Sequence, residues 1–89
     1  RQVIFSADRQ VMLAPNPTSG QIYITGLEKV TQSAQISIYN EFGLKVWSGK
    51  LSGTELATSG IDLVRLVPGT YVIRVITDGS SNLLRFVKQ

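Results

Sequence analysis

The 89-residue chain contains neither cysteine nor histidine. Without cysteine there is no disulfide, no thiolate nucleophile and no sulfur-ligated metal site. Without histidine, Ser-His and Cys-His catalysis and imidazole-metal chemistry are excluded, and the usual acid/base group near neutral pH is missing. Charge is sparse as well, at 17% of residues, with nine Lys+Arg against six Asp+Glu and a net charge of +3. Apart from Arg1, the basic residues (Arg9, Lys29, Lys45, Lys50, Arg65, Arg74, Arg85, Lys88) are scattered singly. A phosphate backbone selects a clustered stripe, so no nucleic-acid partner is expected. No apolar run approaches the ~20 residues of a membrane-spanning helix, and no signal-peptide pattern follows Arg1. A soluble unit is expected, with any N-terminal export signal outside this stretch.

At 43% hydrophobic residues the chain is too apolar and too weakly charged for disorder. A chain of this length hides about 64% of its unfolded surface, enough for one modest core. Apolar residues recur at every second position in short segments closed by Gly, Pro, Asn, Asp and Ser, the mark of half-buried strands. Gln21–Thr25, Gln35–Tyr39, Leu44–Ser48 and Tyr71–Thr77 all alternate, Leu83–Lys88 is a final β-rich run, and Val11–Leu13 and Thr54–Ala57 are weaker strand candidates. No helical period is sustained and no repeat occurs. The expected fold is all-β, an Ig-like antiparallel sandwich of about seven strands. It spans residues 11–89, with residues 1–10, including the apolar Val3-Ile4-Phe5, as a linker or added edge strand. An edge strand of that kind also offers a route to a homodimer.

Two hairpins can be given a register. Glu41-Phe42-Gly43 fits a three-residue loop with Gly43 at the positive-φ position. Ile38 then faces Val46, so Ile36, Ile38, Leu44 and Val46 share the core face and Tyr39, Lys45 and Trp47 the other. In the second hairpin a Gly79-Ser80 turn sets Val75 opposite Leu84, Ile73 opposite Phe86 and Tyr71 opposite Lys88. The reverse face pairs Ile76 with Leu83, Arg74 with Arg85, and Val72 with Val87. Two guanidiniums ringed by aliphatic groups form a docking shape for an acidic or carboxylate-bearing partner. The plainer reading, which takes precedence over docking, is that this face is covered, with Asp62 or Glu55 neutralising the arginines internally.

Catalysis needs a constellation, and none can be assembled; an enzyme is not expected. The carboxylates (Asp8, Glu28, Glu41, Glu55, Asp62, Asp78) fall mostly at turns and strand boundaries, where capping or solvated roles are expected. Asp78-Gly79-Ser80-Ser81 lacks the clustered acidic oxygens of a Ca²⁺ loop, no phosphate-binding glycine motif occurs, and no metal or cofactor is expected. Tyr23, Tyr39 and Trp47 fall on non-core faces, either as a sugar-stacking platform or as half-buried edge aromatics.

Two segments punctuate the chain. Ala14-Pro15-Asn16-Pro17-Thr18-Ser19-Gly20 reads as a rigid turn at one end of the sandwich. Leu66-Val67-Pro68-Gly69-Thr70-Tyr71 reads as a corner whose tyrosine can return its hydroxyl to the upstream backbone, with Asp62 placed to bond nearby N–H groups.

The ordered set Pro15-Asn16-Pro17-Thr18-Ser19-Gly20, Ile36 to Asn40 with Gly43 and Val46, Asp62-Leu63, Leu66 with Pro68-Gly69-Thr70-Tyr71, and Phe86 to Gln89 resembles the C-terminal sorting domain of the type IX (Por) secretion system of Bacteroidota. The resemblance covers about residues 11–89. It implies a secretion signal at the C-terminus of a larger exported protein, in the periplasm in transit and then at the outer-membrane surface or outside the cell. It further implies recognition by the outer-membrane translocon and removal by a sortase-like surface peptidase that joins the cargo to anionic lipopolysaccharide. The cut would lie upstream of the proline loop, in or beside residues 1–10. A minority of such domains are retained as surface components of the machinery; a glycan-binding module using Tyr23, Tyr39 and Trp47 is the other alternative. On the leading reading, Arg74 and Arg85, flanked by Val72 and Val87, with Phe86, Lys88 and Gln89 of the tail, form the recognition surface.

Overall fold

The computed structural model describes residues 11–28, 33–77 and 80–89. Seven strands and one short helix follow in the order β1 (Met12–Ala14), β2 (Gln21–Thr25), β3 (Ala34–Tyr39), β4 (Lys45–Leu51), α1 (Gly53–Thr58), β5 (Ile61–Asp62), β6 (Gly69–Thr77) and β7 (Ser80–Lys88). They form two antiparallel sheets, a three-stranded β1-β2-β5 and a four-stranded β4-β3-β6-β7, as the alternating pattern requires. The expected linker, Val3-Ile4-Phe5 and its dimer edge lie outside the described residues.

Both sheets feed one core. Ile22 and Ile24 come from β2; Ala34, Ile36 and Ile38 from β3; Tyr71, Ile73 and Val75 from β6; Phe86 from β7; and Leu56 from α1. Period-2 alternation is kept most strictly in β2 and β6, where one face is sealed and the other faces solvent.

Three expectations are corrected. In the β3–β4 hairpin the loop is as read: Gly43 has φ +83°, Asn40 N donates to Leu44 O at 2.9 Å and Gly43 N donates to Asn40 O at 3.0 Å. Asn40 Oδ1 also accepts from Phe42 N and Leu44 N. Beyond Tyr39↔Lys45, however, a bulge intervenes and Ile38 pairs with Trp47, not with Val46. One extra residue turns every later side chain over. Val46 is therefore exposed, as is Leu44 ahead of the bulge at the end of the loop, while Trp47 and Leu51 pack against the core. Trp47 lies across Gly49, so closely that a side chain at residue 49 would meet the indole at 2.7 Å.

The β6–β7 register is offset by two residues from the expected one: Tyr71 pairs with Phe86, Ile73 with Leu84 and Val75 with Asn82. Thr77↔Ser80 closes the ladder, so Ser80 belongs to β7 and not to the turn. An even offset leaves each side chain on its expected face. It does separate the arginines, since Arg74 faces Leu83 and Arg85 faces Val72.

The third correction is Thr54–Ala57, which is helical. Ser52 caps α1: its hydroxyl accepts from Glu55 N at 3.0 Å, and Glu55 Oε1 accepts from Ser52 N at 2.9 Å. This Ser-x-x-Glu box was present in the sequence and outweighs β-propensity over so short a run. The helix turns Leu56 inward. Gly53 approaches Leu27 O so closely that no Cβ fits there. Ser52→Ala removes a cap bond and should cost about 1 kcal/mol, lowering the melting temperature by about 4–8 °C, which calorimetry would detect.

Candidate functional site

The four-stranded sheet ends at β7, a nine-residue strand. Its C-terminal half is clasped by the proline loop. Asn16 Oδ1 accepts from Val87 N at 2.9 Å and Asn16 Nδ2 donates to Arg85 O at 3.3 Å, so the side-chain amide imitates a neighbouring strand's peptide group. Thr18 N then donates to Val87 O at 2.9 Å and Gln89 N donates to Thr18 O at 2.7 Å, forming a parallel bridge between Thr18 and Lys88. Thr18 itself is buried; its hydroxyl donates to Gln21 O at 2.7 Å and accepts from Gly20 N at 3.2 Å. Leu63 N donates to Gly20 O at 2.6 Å, tying the loop to the residue after β5. The segment read as a rigid turn is thus a lock on the other end of the chain. Local sequence carried no signal of this, because Asn16 and Val87 are 71 residues apart.

The corner performs as expected. Tyr71 Oη donates to Val67 O at 2.5 Å, and Leu66 N donates to Leu63 O. The Tyr71 ring stacks on Phe86 with centroids 5.5 Å apart and planes inclined by 19°. Asp62 Oδ1 accepts from Val64 N at 3.1 Å. Corner, proline loop and tail therefore converge on one end of β6–β7.

The outer face of that hairpin carries Val72, Arg74 and Ile76 from β6 and Leu83, Arg85 and Val87 from β7. Both arginines are exposed, and Ile76, Leu83 and Val87 are 40%, 64% and 41% exposed, unusually high for aliphatic strand residues. A hollow of about 190 Å³ lies among Val72, Leu83, Leu84 and Arg85. In the observed register the arginines are diagonal neighbours, roughly 7–8 Å apart with their Cβ atoms somewhat closer, and not a direct pair at roughly 5 Å. That spacing weakens their repulsion and leaves room for one carboxylate between them.

Internal neutralisation is not how the arginines are arranged. Asp62 belongs to the three-stranded sheet and Glu55 to α1, and each accepts from a nearby backbone N–H, as does Glu28 from Gly26 at 2.8 Å. Of the tail residues, Gln89 and Val87 are exposed, whereas Phe86 is fully buried and Lys88 only 6% exposed, its Nζ donating to Gln89 O. Tyr23, Tyr39 and Trp47 are not brought together. Tyr23 is half-buried on the three-stranded sheet; Tyr39 and Trp47 sit on the four-stranded sheet, Tyr39 on the face opposite Ile38 and Trp47 on the face shared with it. Two adjoining clefts of about 300 and 320 Å³ share Val46, Arg65 and Leu66, one opening toward Phe42 and Glu41, the other toward Trp47 and Asp62.

The fold is a small antiparallel β-sandwich, one face of which carries two exposed arginines among exposed aliphatic side chains. The chain belongs to the secretion system C-terminal sorting domain family, whose family model matches residues 12–89. No curated protein matches the chain. The family is one of type IX sorting signals and not of enzymes, so the domain directs export toward the cell surface or the extracellular space through contact with the secretion machinery.

Proposed function

We propose that this domain is a folded address label, read as a shape by the outer-membrane translocon after its cargo has folded in the periplasm. The observation that carries the reading is the outer face of β6–β7: two exposed guanidiniums among exposed Ile76, Leu83 and Val87, on a strand whose end is pinned by Asn16 and Thr18. A pinned strand presents that face with little ordering cost on binding. Arg74 and Arg85 are the anion contacts; Val72, Val87 and Gln89 extend the surface; Phe86 and Lys88 support it from within.

After passage, a sortase-like surface peptidase cuts upstream of the proline loop and transfers the cargo to anionic lipopolysaccharide. The clasp of the proline loop on β7 holds the label intact until then. Retention of the domain as a surface component of the machinery uses the same face and differs only in the absence of that cut.

The test is to fuse residues 1–89 to a neutral periplasmic reporter in a cell with a type IX system. Reporter outside the cell is the expected result. Retention in the periplasm overturns the reading, and equal export with an unrelated β-sandwich in its place reduces the domain to a spacer.

A further inference from the structure

The backbone of β7 offers more than its side chains. In an antiparallel strand, successive residues direct their N–H and C=O groups alternately toward the neighbour and away from it. The clasp identifies the outward set: Asn16 takes Arg85 O and Val87 N, and Thr18 takes Val87 O and Gln89 N. The odd-numbered residues of β7 therefore point their backbone groups away from β6. Downstream of Arg85 these groups are all occupied. Upstream, Ser81 N and O, Leu83 N and O, and Arg85 N have no hydrogen-bond partner among the described residues. Half of the edge is closed and half is open, and the open half carries Leu83 and Arg85 of the basic face.

We propose that Ser81–Arg85 accepts an extended segment of the secretion machinery as a fifth strand of this sheet, and that the added strand places a carboxylate between Arg74 and Arg85. The inference rests on the address-label reading and deepens it by naming how the label is held. Charge complementarity selects the occupant. Among the described residues, the outer face of β6–β7 carries two cations and no acid, so an acidic strand is attracted, whereas a second copy would bring the same two cations. Backbone bonds supply affinity in such strand addition, and the side chains on one face supply selectivity. The clasp also sets the length, because an added strand cannot run past Arg85 without displacing Asn16. Five residues of β7 are open to it.

The decisive variant is Leu83→Pro. Proline at an edge position whose N–H faces away removes a donor that β6 does not use, so the β6–β7 ladder keeps its bonds. In the reporter fusion, Leu83→Pro should lower export at least tenfold while its thermal transition stays within a few degrees of the parent. Leu83→Ala, which retains the N–H, should lower it less than threefold. Where Leu83→Pro loses its thermal transition, amide exchange of the parent fusion mixed with outer-membrane vesicles from the exporting cell decides. Slowed exchange at Ser81, Leu83 and Arg85 supports the proposal, and unchanged exchange there overturns it. Parent and folded Leu83→Pro exported alike would sink strand addition and leave the address label standing; a parent fusion that is never exported would sink the label itself. A concentration-dependent dimer abolished by Leu83→Pro with export unaffected assigns the open edge to self-association and overturns the proposal.

Discussion

Phe86→Ala will melt far below the parent domain. The ring is fully buried and stacked on Tyr71, and removing a buried phenylalanine costs about 3–5 kcal/mol in lost burial and cavity formation. A domain of this length has about 4–13 kcal/mol in total, so the loss is a large fraction of what holds it folded. At about 4–8 °C per kcal/mol, the melting temperature should fall by more than about 12 °C. Denaturant titration should show a lower midpoint with an unchanged slope, the sign of a destabilised but still cooperative fold. A parent-like melt would show that the tail is not part of the core. Deleting Phe86 to Gln89 removes the same ring together with Val87 and Gln89, the groups held by the clasp. Cargo carrying that truncation should accumulate in the periplasm, but through loss of the folded surface.

Charge reversal separates recognition from folding. Arg74→Glu combined with Arg85→Glu changes two exposed side chains whose backbone pairing is independent of their identity, so the melting temperature should move by only a few degrees. Contacts from charged donors contribute about 1.5–3 kcal/mol each, and each 1.4 kcal/mol is a tenfold change in affinity. Losing two, with repulsion in their place, should weaken binding by at least about 100-fold and leave the reporter fusion inside the cell. Lys50→Glu, the same charge change on β4 at the opposite edge of the sheet, should export normally. Normal export of the double variant would end the role assigned to the basic face.

The two register differences show which kind of error matters. The expected β6–β7 register differs from the observed one by two residues, which leaves every side chain on its correct face because strands repeat every two residues; the core residues Tyr71, Ile73, Val75 and Phe86 and the surface residues Arg74 and Arg85 are all legible. Missing one extra residue at Val46 exchanged the faces of β4 and put Trp47 on the wrong side. No local feature announces that bulge. The space over Gly49 and the partly buried site beside the core select it, and both exist only once the sheets are packed. The helix at Gly53–Thr58 is the opposite case, since its capping box is written locally in Ser52 and Glu55.

Strand periodicity, the two loop glycine and proline signatures and the absence of histidine and cysteine are properties of the sequence by itself, and they suffice for an all-β domain without thiol or imidazole chemistry. Only the tertiary structure decided that Asn16 and Thr18 close the end of β7 and that the edge from Ser81 to Arg85 has no backbone partner among the described residues. Those contacts join residues about seventy positions apart. A period read along the chain says which way a side chain points, but not which distant backbone groups will be left without a neighbour when the sheets come together.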